Sequence, residues 1–496
     1  MELKVKILKW SAGIPVAMIH LRTAELMGIH ENDRISIEKN TKGDGEFATI
    51  VDVVEKIIKE NEIGISSEIE ELFKLRDGQK VDVNIAEGPV SLSFIKKKLD
   101  GKKLSKKEIK EIIKDIVNNS LSDPEIALFV SGMYKNGMDF DEVISLTESF
   151  LESGETLDFP GKYIVDKHSI GGIPGNRTTP IIVSICAAAG LTFPKSSSKA
   201  ITSAAGTADV IGAIAQVKFS VAELKKIVKK TGACMVWGGS LELVPADSKI
   251  LRMEKLLKID PRSQMLVSIM SKKIAAGSKY VLIDIPHGKT AKVNKSEALK
   301  LKKDFEKIAK YFKLKIKVVL TDGSEPIGNG VGPILELRDV IKVINPSETG
   351  APQDLRKKSL FLSGQILEMT KRAKRGEGFA KAEQILNSGK AFEKFIQIIK
   401  AQKGSLKNLK LGKFKHEIKA DSSGEIAEIH NIKINFLGRA AGCPVDISSG
   451  LYLHVHVGNK VKKGDKLITI YAESKSRLKE AINYYNREKP ITIKRH

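Results

Sequence analysis

Residues 163–210 read YIVDKHSIGGIPGNRTTPIIVSICAAAGLTFPKSSSKAITSAAGTADV, and the chain is organised around them. A short β-like run, Tyr163 to Val165, feeds a loop holding Gly171, Gly172 and Gly175, and an apolar helix-like run from Pro180 to Ala189 follows. The outline then repeats: Leu191–Phe193, a polar loop from Lys195 to Thr207, and a second apolar run from Ala208. Glycines let backbone N–H groups turn toward one point, and a helix start adds partial positive charge, so each loop is a candidate anion cradle. Lys167, Ser169, Thr178, Thr179, Ser197, Ser198 and Thr207 add side-chain donors. Two such loops side by side suit a substrate with two anionic groups, or an anion beside a sugar. Neither loop carries G-x-x-x-x-G-K-[ST] or the G-x-G-x-x-G spacing, which excludes the common nucleotide fingerprints here.

Outward from this stretch, residues 162–244 alternate strand and helix, with a helix capped by Ser220 and Glu223 before Ala233–Trp237. Such alternation predicts a parallel sheet, whose active site lies at the carboxyl ends of the strands. The pattern continues from 279 to about 412, through Tyr280–Ile285, the loop Pro286–Thr290, Ile316–Leu320 and helices over roughly 354–402. Residues 90–158 read as helices with capping signals at Ser105/Glu108, Ser122/Glu125 and Asp139/Glu142, and 246–277 are helical again. Residues 1–87 hold short β-like runs between Gly and Asp turns, a small barrel-like unit, and 413–496 are β-rich. The fold class is therefore α/β: a small helical domain (90–158, 246–277), a large mixed domain (162–244, 279–412), an N-terminal barrel-like domain and a β-rich C-terminal part.

The chain has 496 residues, with 83 Lys and Arg against 60 Asp and Glu, a net charge of +23. That balance attracts anions. The lysines are spread along the chain and aromatics make 5% of it, which argues against a nucleic-acid binder. Cys186, Cys234 and Cys443 show no metal-ligand spacing, and there is no H-E-x-x-H, so no bound metal is expected. With no signal-peptide pattern or long apolar run, the expected location is cytoplasmic, without membrane attachment.

Asp166-Lys167-His168-Ser169, then Gly171-Gly172, then Thr178-Thr179, resembles the signature of the thymidine and pyrimidine-nucleoside phosphorylases. The second loop, Ser198 to Thr207, departs from those enzymes, which carry a glycine- and histidine-rich segment there. That variant, with the inserted Ile173-Pro174-Gly175-Asn176, is similar to the archaeal AMP phosphorylases of the same family, over nearly the whole chain. The resemblance implies a helical and an α/β domain facing across a cleft. It also implies phosphorolysis of nucleoside 5′-monophosphates: AMP and phosphate give adenine and ribose 1,5-bisphosphate, with CMP and UMP as further substrates. Phosphate is the co-substrate and no other cofactor is implied. A homodimeric core, enlarged through the N-terminal domain, completes the family picture.

Matching residue by residue, the resemblance assigns phosphate to Lys167, Ser169, Thr179, Ser197 and Thr207. It assigns substrate contacts to Gly172, Ser198, Lys199, Ala200, Ile201, Thr202, Ser203, Thr207, Ser268 and Lys292, with Lys289 a weaker neighbour of Lys292 for the 5′-phosphate. Ser268 and Lys272 lie four apart on one helical face, at positions that touch the base in the pyrimidine enzymes. That family's base-contacting arginine falls here on Met253, which counts against a pyrimidine nucleoside. His168 matches a histidine near sugar and base; a loop-holding histidine is the alternative. The resemblance makes Asp260 the proton donor to the leaving base, whereas the residues alone read Asp260-Pro261 as a helix N-cap before a first-turn proline. The rival readings are a thymidine or uridine phosphorylase and a magnesium-dependent phosphoribosyltransferase of the anthranilate type.

Overall fold

The computed structural model describes residues 1–11, 15–39, 47–200, 203–241, 243–407 and 409–495. These form two compact units, residues 1–153 with 244–268, and residues 154–243 with 269–496. The first unit begins with a closed six-stranded barrel in the order Glu2–Ile7, Glu62–Ile65, Val16–His20, Phe47–Val54, Arg34–Lys39, Lys80–Ile85. Val16–His20 and Glu62–Ile65 were not legible as strands in the sequence; they close the barrel through two parallel pairings. Alternate residues such as Leu3, Val5, Ile35, Ile37, Val81 and Val83 point inward and fill it.

The helices Ser91–Leu99, Lys106–Val117, Asp123–Asn136 and Phe140–Glu152 follow, and Pro245–Leu257 packs against them. All three capping boxes form, at Ser105/Glu108, Ser122/Glu125 and Asp139/Glu142. Glu142 is nearly fully buried and also accepts from Lys98 Nζ at 2.9 Å, so the cap doubles as an internal ion pair.

In the second unit the strands Lys315–Asp322, Tyr280–His287 and Val165–Ser169 form one parallel sheet, and Phe193–Ser197 pairs in parallel with Ala233–Trp237. A parallel bridge from Ile164 to Thr192 joins the two sets. Helices Thr178–Ala188, Pro333–Ile344, Gln353–Met369, Gly378–Asn387 and Lys390–Ala401 supply the apolar core with Ile181, Val183, Leu360, Leu367 and Phe395. The C-terminal part packs a four-stranded sheet, one strand of which is Gly330–Val331 of the α/β domain, and a three-stranded sheet with helices Asn431–Ala441 and Lys475–Glu488 around Ile426, Ile434, Leu437, Leu451 and Ile470. Among the described residues no helix is long and apolar enough to cross a membrane.

Candidate active site

The strand Val165–Ser169 places the site. The expected strand ended at Val165; instead the Asp-Lys-His-Ser signature makes up the last four of the strand's five residues. Side chains alternate along a strand, so Asp166 goes to one face of the sheet and Lys167 to the other. On the first face, buried Asp166 meets Lys195 Nζ at 3.1 Å and Lys273 Nζ at 2.8 Å. Burial pushes the Asp166 carboxyl up, but the two ammonium groups overcome it and hold it below its ordinary value. Lys195, expected in a polar loop, lies within the strand Phe193–Ser197 and is 4% exposed.

On the second face, Lys167 is 1% exposed and donates to Thr178 Oγ1 at 2.9 Å, at the start of the helix Thr178–Ala188. The carboxylate acting on it most strongly is Asp284, which pairs with Lys358 at 3.4 Å and accepts from Thr321 at 2.6 Å. Burial lowers the Lys167 ammonium to about 8, with Lys358 and Arg177 adding to the effect against the pull of Asp284. Burial also lowers the His168 imidazole well below its ordinary value, reinforced by Lys273, Lys195, Lys167 and Lys272.

Counting from the Ile164–Thr192 bridge, Ser169 and Ser197 end neighbouring strands level with each other. The Ser197 hydroxyl oxygen is buried and has no hydrogen-bond partner among the described residues. Asn176, in the inserted segment, donates to Ser169 Oγ at 3.4 Å. Arg177 ties the two loops together, donating to Thr207 Oγ1 at 2.9 Å and to the Ala205 carbonyl at 2.8 Å while its Nε bonds buried Glu336 at 2.6 Å. Thr179 is buried in the first turn of the same helix as Thr178.

The second loop has a narrow neck. Asp209 accepts from the Ala200 and Gly206 amides at 2.7 and 2.8 Å, and a Cβ on Gly206 would stand 2.6 Å from the Ser198 carbonyl. Ser203 bonds the Ala205 carbonyl at 3.0 Å. Exposed Lys199 lies over the Trp237 ring, 4.7 Å from its centre. Ile201 and Thr202 lie outside the described residues. Gly172, at φ +92°, abuts Lys292, where a Cβ would meet the Lys292 Cβ at 3.1 Å. Lys292 lines a pocket of about 450 Å³ with His287, Gly288, Lys289 and Asn294. Lys289 Nζ pairs with Glu428 at 2.6 Å.

Asp260 and Ser268 belong to the first unit. The helix begins at Arg262, just after Pro261, whose carbonyl accepts from the Met265 amide at 3.0 Å. Asp260 is exposed; Ser268 is buried on the helix Arg262–Ala275, and Lys272, one turn further, falls in the second unit. Met253 is 1% exposed, a core residue. Among the described residues no group of three or more His, Cys, Asp or Glu could hold a metal ion.

Reading the sequence missed Asp166 as an ion-pair centre, Lys195, Lys273, Arg177, Asp284 and Lys358. One signal was available. Buried parallel strands read as continuous apolar runs, so Asp-Lys-His inside one marks charges held there for a purpose.

A helical bundle and a parallel α/β sheet with basic residues in its strands, carried by one chain, point to a class of glycosyl transferases. Residues 92–154 match the glycosyl transferase family helical bundle domain, 161–392 its a/b domain, and 426–492 the pyrimidine nucleoside phosphorylase C-terminal domain. Anthranilate phosphoribosyltransferase from Thermus thermophilus shares the fold at TM-score 0.52 and 15% identity, covering 62% of this chain and 99% of that one. Proteins named AMP phosphorylase are far nearer: 44% identity to that of Pyrococcus furiosus, over 99% of this chain and 97% of the relative. The Thermococcus kodakarensis protein is also 44% identical (99% and 98%), and the Methanococcus vannielii protein 39% (99% and 97%). The chain belongs to the AMP phosphorylase family.

Proposed function

We propose that the chain cleaves AMP with inorganic phosphate, giving adenine and ribose 1,5-bisphosphate, and accepts CMP and UMP in the same way. The observation that carries this is a charge imbalance. Three buried lysines, Lys167, Lys195 and Lys273, and half-buried Lys358 face two buried aspartates, Asp166 and Asp284, an excess of two positive charges when all are ionised. Burying an uncompensated cation is costly, and a phosphate dianion is the complement.

Phosphate is held by Lys167, Ser169, Thr179, Ser197 and Thr207. One of its oxygens bonds to C1 of the ribose as the C1–N bond to the base breaks. Positive charge on the sugar meets the phosphate's own negative charge, so no protein nucleophile is needed. Asp260 gives its proton to the leaving base nitrogen and recovers one from solvent. The Ser198–Ser203 segment with Lys199, and Lys292 against Gly172, hold the 5′-phosphate. Ser268 and Lys272 contact the base, and His168 orients the sugar. No metal or other cofactor takes part. The working enzyme is a cytoplasmic homo-oligomer built on a dimer.

The test is base release in the presence of phosphate and a metal chelator, comparing AMP, CMP and UMP with adenosine, uridine and thymidine. Turnover of the monophosphates alone is expected. Equal turnover of the nucleosides would remove the 5′-phosphate subsite, and loss of activity with chelator would favour a metal-dependent transfer. Asp260→Asn should lower kcat by roughly 10²–10⁴-fold with an unchanged melting temperature. Near-normal turnover in that variant would remove Asp260 as the acid.

A further inference from the structure

The helix Asn431–Ala441 belongs to the C-terminal part, which carries none of the residues assigned to the reaction, yet one of its faces reaches both anion loops. Asn431, Asn435 and Gly438 lie at i, i+4 and i+7 and share that face. Asn431 is fully buried; its side-chain amide donates to Thr290 Oγ1 and to the Gly323 carbonyl, each at 2.9 Å. Thr290 sits two residues before Lys292 in the pocket loop. Asn435 is 6% exposed; its Oδ1 accepts from the Ala204 amide at 3.1 Å and its Nδ2 donates to the Gly172 carbonyl at 3.4 Å. The Ala204 N–H fixes which end of the amide is the oxygen. Gly438 lets the helix come close, since a Cβ there would stand 2.9 Å from Ala204 Cβ.

We infer that Asn435 is a positioning residue that sets the gap between the two loops. One side chain spans Gly172, which abuts Lys292, and Ala204, next to Ser203. The two groups of donors meant for the substrate's 5′-phosphate therefore keep their spacing through a single amide from outside the α/β sheet. Arg177 braces the same second loop from the phosphate side, through Ala205 and Thr207, so losing Asn435 releases the 5′-phosphate half and spares the inorganic phosphate half. Asn435 touches no reacting atom. Its contribution is the place of the anion, which appears in the KM for AMP.

This inference rests on the proposed 5′-phosphate subsite, and the experiment separates the two. Steady-state kinetics and melting temperatures are measured on the full chain for wild type, Lys292→Ala, Asn435→Ala, Asn435→Ser and Leu437→Ala. Leu437 is a fully buried core residue on the same helix and reports purely structural damage. Asn435→Ala should raise the KM for AMP about tenfold with the KM for phosphate within twofold of wild type. Leu437→Ala should lower the melting temperature at least as much with the KM for AMP unchanged. An unaltered KM for AMP in Asn435→Ala, or equal rises in both KM values, overturns the inference. Should Asn435→Ala not fold, Asn435→Ser carries the same reading: a rise of about threefold or more for AMP alone supports it, and no rise overturns it. If Lys292→Ala leaves the KM for AMP unchanged, the subsite reading has failed. If Lys292→Ala raises it and the Asn435 variants do not, the positioning inference alone has failed.

Discussion

The two anion loops perform similar tasks with opposite construction. The first grows directly out of a central strand, and its charges sit in the core: Asp166, Lys167, Lys195 and Lys273 are each at most 4% exposed. The second leaves its strand at Ser197 and is held by groups from elsewhere: Arg177, Asp209, Asn435 and the Trp237 ring under Lys199. Core ion pairs fix geometry at a high cost if one member is lost. Borrowed hydrogen bonds and a cation–π contact are each worth little, and they can be exchanged without unfolding the sheet. On the proposed assignment the co-substrate phosphate leans mainly on the rigid loop, through Lys167, Ser169 and Thr179, and the group that distinguishes a nucleotide from a nucleoside leans mainly on the adjustable one.

That contrast can be broken most forcefully at Asp166. Asp166→Asn leaves Lys195 and Lys273 buried without a counter-charge and should destabilise the fold by about 3–5 kcal/mol, measured by thermal or denaturant unfolding. Because the Asp166 carboxyl is held below its ordinary value, its stabilisation is fully present above about pH 4 and is lost as the pH falls through the lowered value. A small loss at pH 7 would mean that the first loop does not depend on its core charges.

Next in size, Lys167→Ala should raise the KM for phosphate roughly 10–100-fold, the scale of one charge-assisted hydrogen bond, and leave the KM for AMP nearly unchanged. Equal effects on both would erase the division of labour between the loops. The wild-type enzyme sharpens the same point through pH. With the Lys167 ammonium lowered to about 8, kcat/KM for phosphate should fall as the pH rises through that value, and phosphate binding near pH 8 should take up protons. Calorimetry in buffers of different ionisation enthalpy reads that uptake; none would place the titrating lysine elsewhere. Smallest is Trp237→Leu. Removing a cation–π contact of about 0.5–1 kcal/mol should raise the KM for AMP two- to fivefold, with phosphate unaffected.

What the sequence revealed follows the same division. Helices announced themselves through local chemistry, because a Ser or Asp three residues before a Glu closes its hydrogen bonds within one turn, and all three expected boxes of the helical unit formed. The glycine loops were visible for a similar reason. Gly172 and Gly206 mark places where another chain segment comes too close for a side chain. Long-range partners left no local trace. Nothing near Asp166 in sequence points to Lys273, and nothing near Ala204 points to Asn435, 231 residues away. Strand ends were misjudged because charged residues normally mark the end of a buried strand, whereas here the strand Val165–Ser169 continues through Asp and Lys, each satisfied by tertiary contacts. The barrel strands Val16–His20 and Glu62–Ile65 were missed because Val16–Ile19 is apolar throughout and Gly64 interrupts the second run, so neither shows a clean apolar–polar alternation.

The insertion Ile173–Asn176 bears on how such enzymes could be re-engineered. Gly175 turns at φ +69° directly beneath the turn before Gly330, and any side chain there would collide with the Ile327 carbonyl, 2.1 Å from an added Cβ. The Ile327 amide in turn bonds the Pro174 carbonyl at 3.0 Å. Insertion and turn are thus a lock and its key, cut together. A loop transplanted here without its own version of residues 327–330 would arrive without the surface it fits, so the two segments have to be exchanged as a matched pair rather than one at a time.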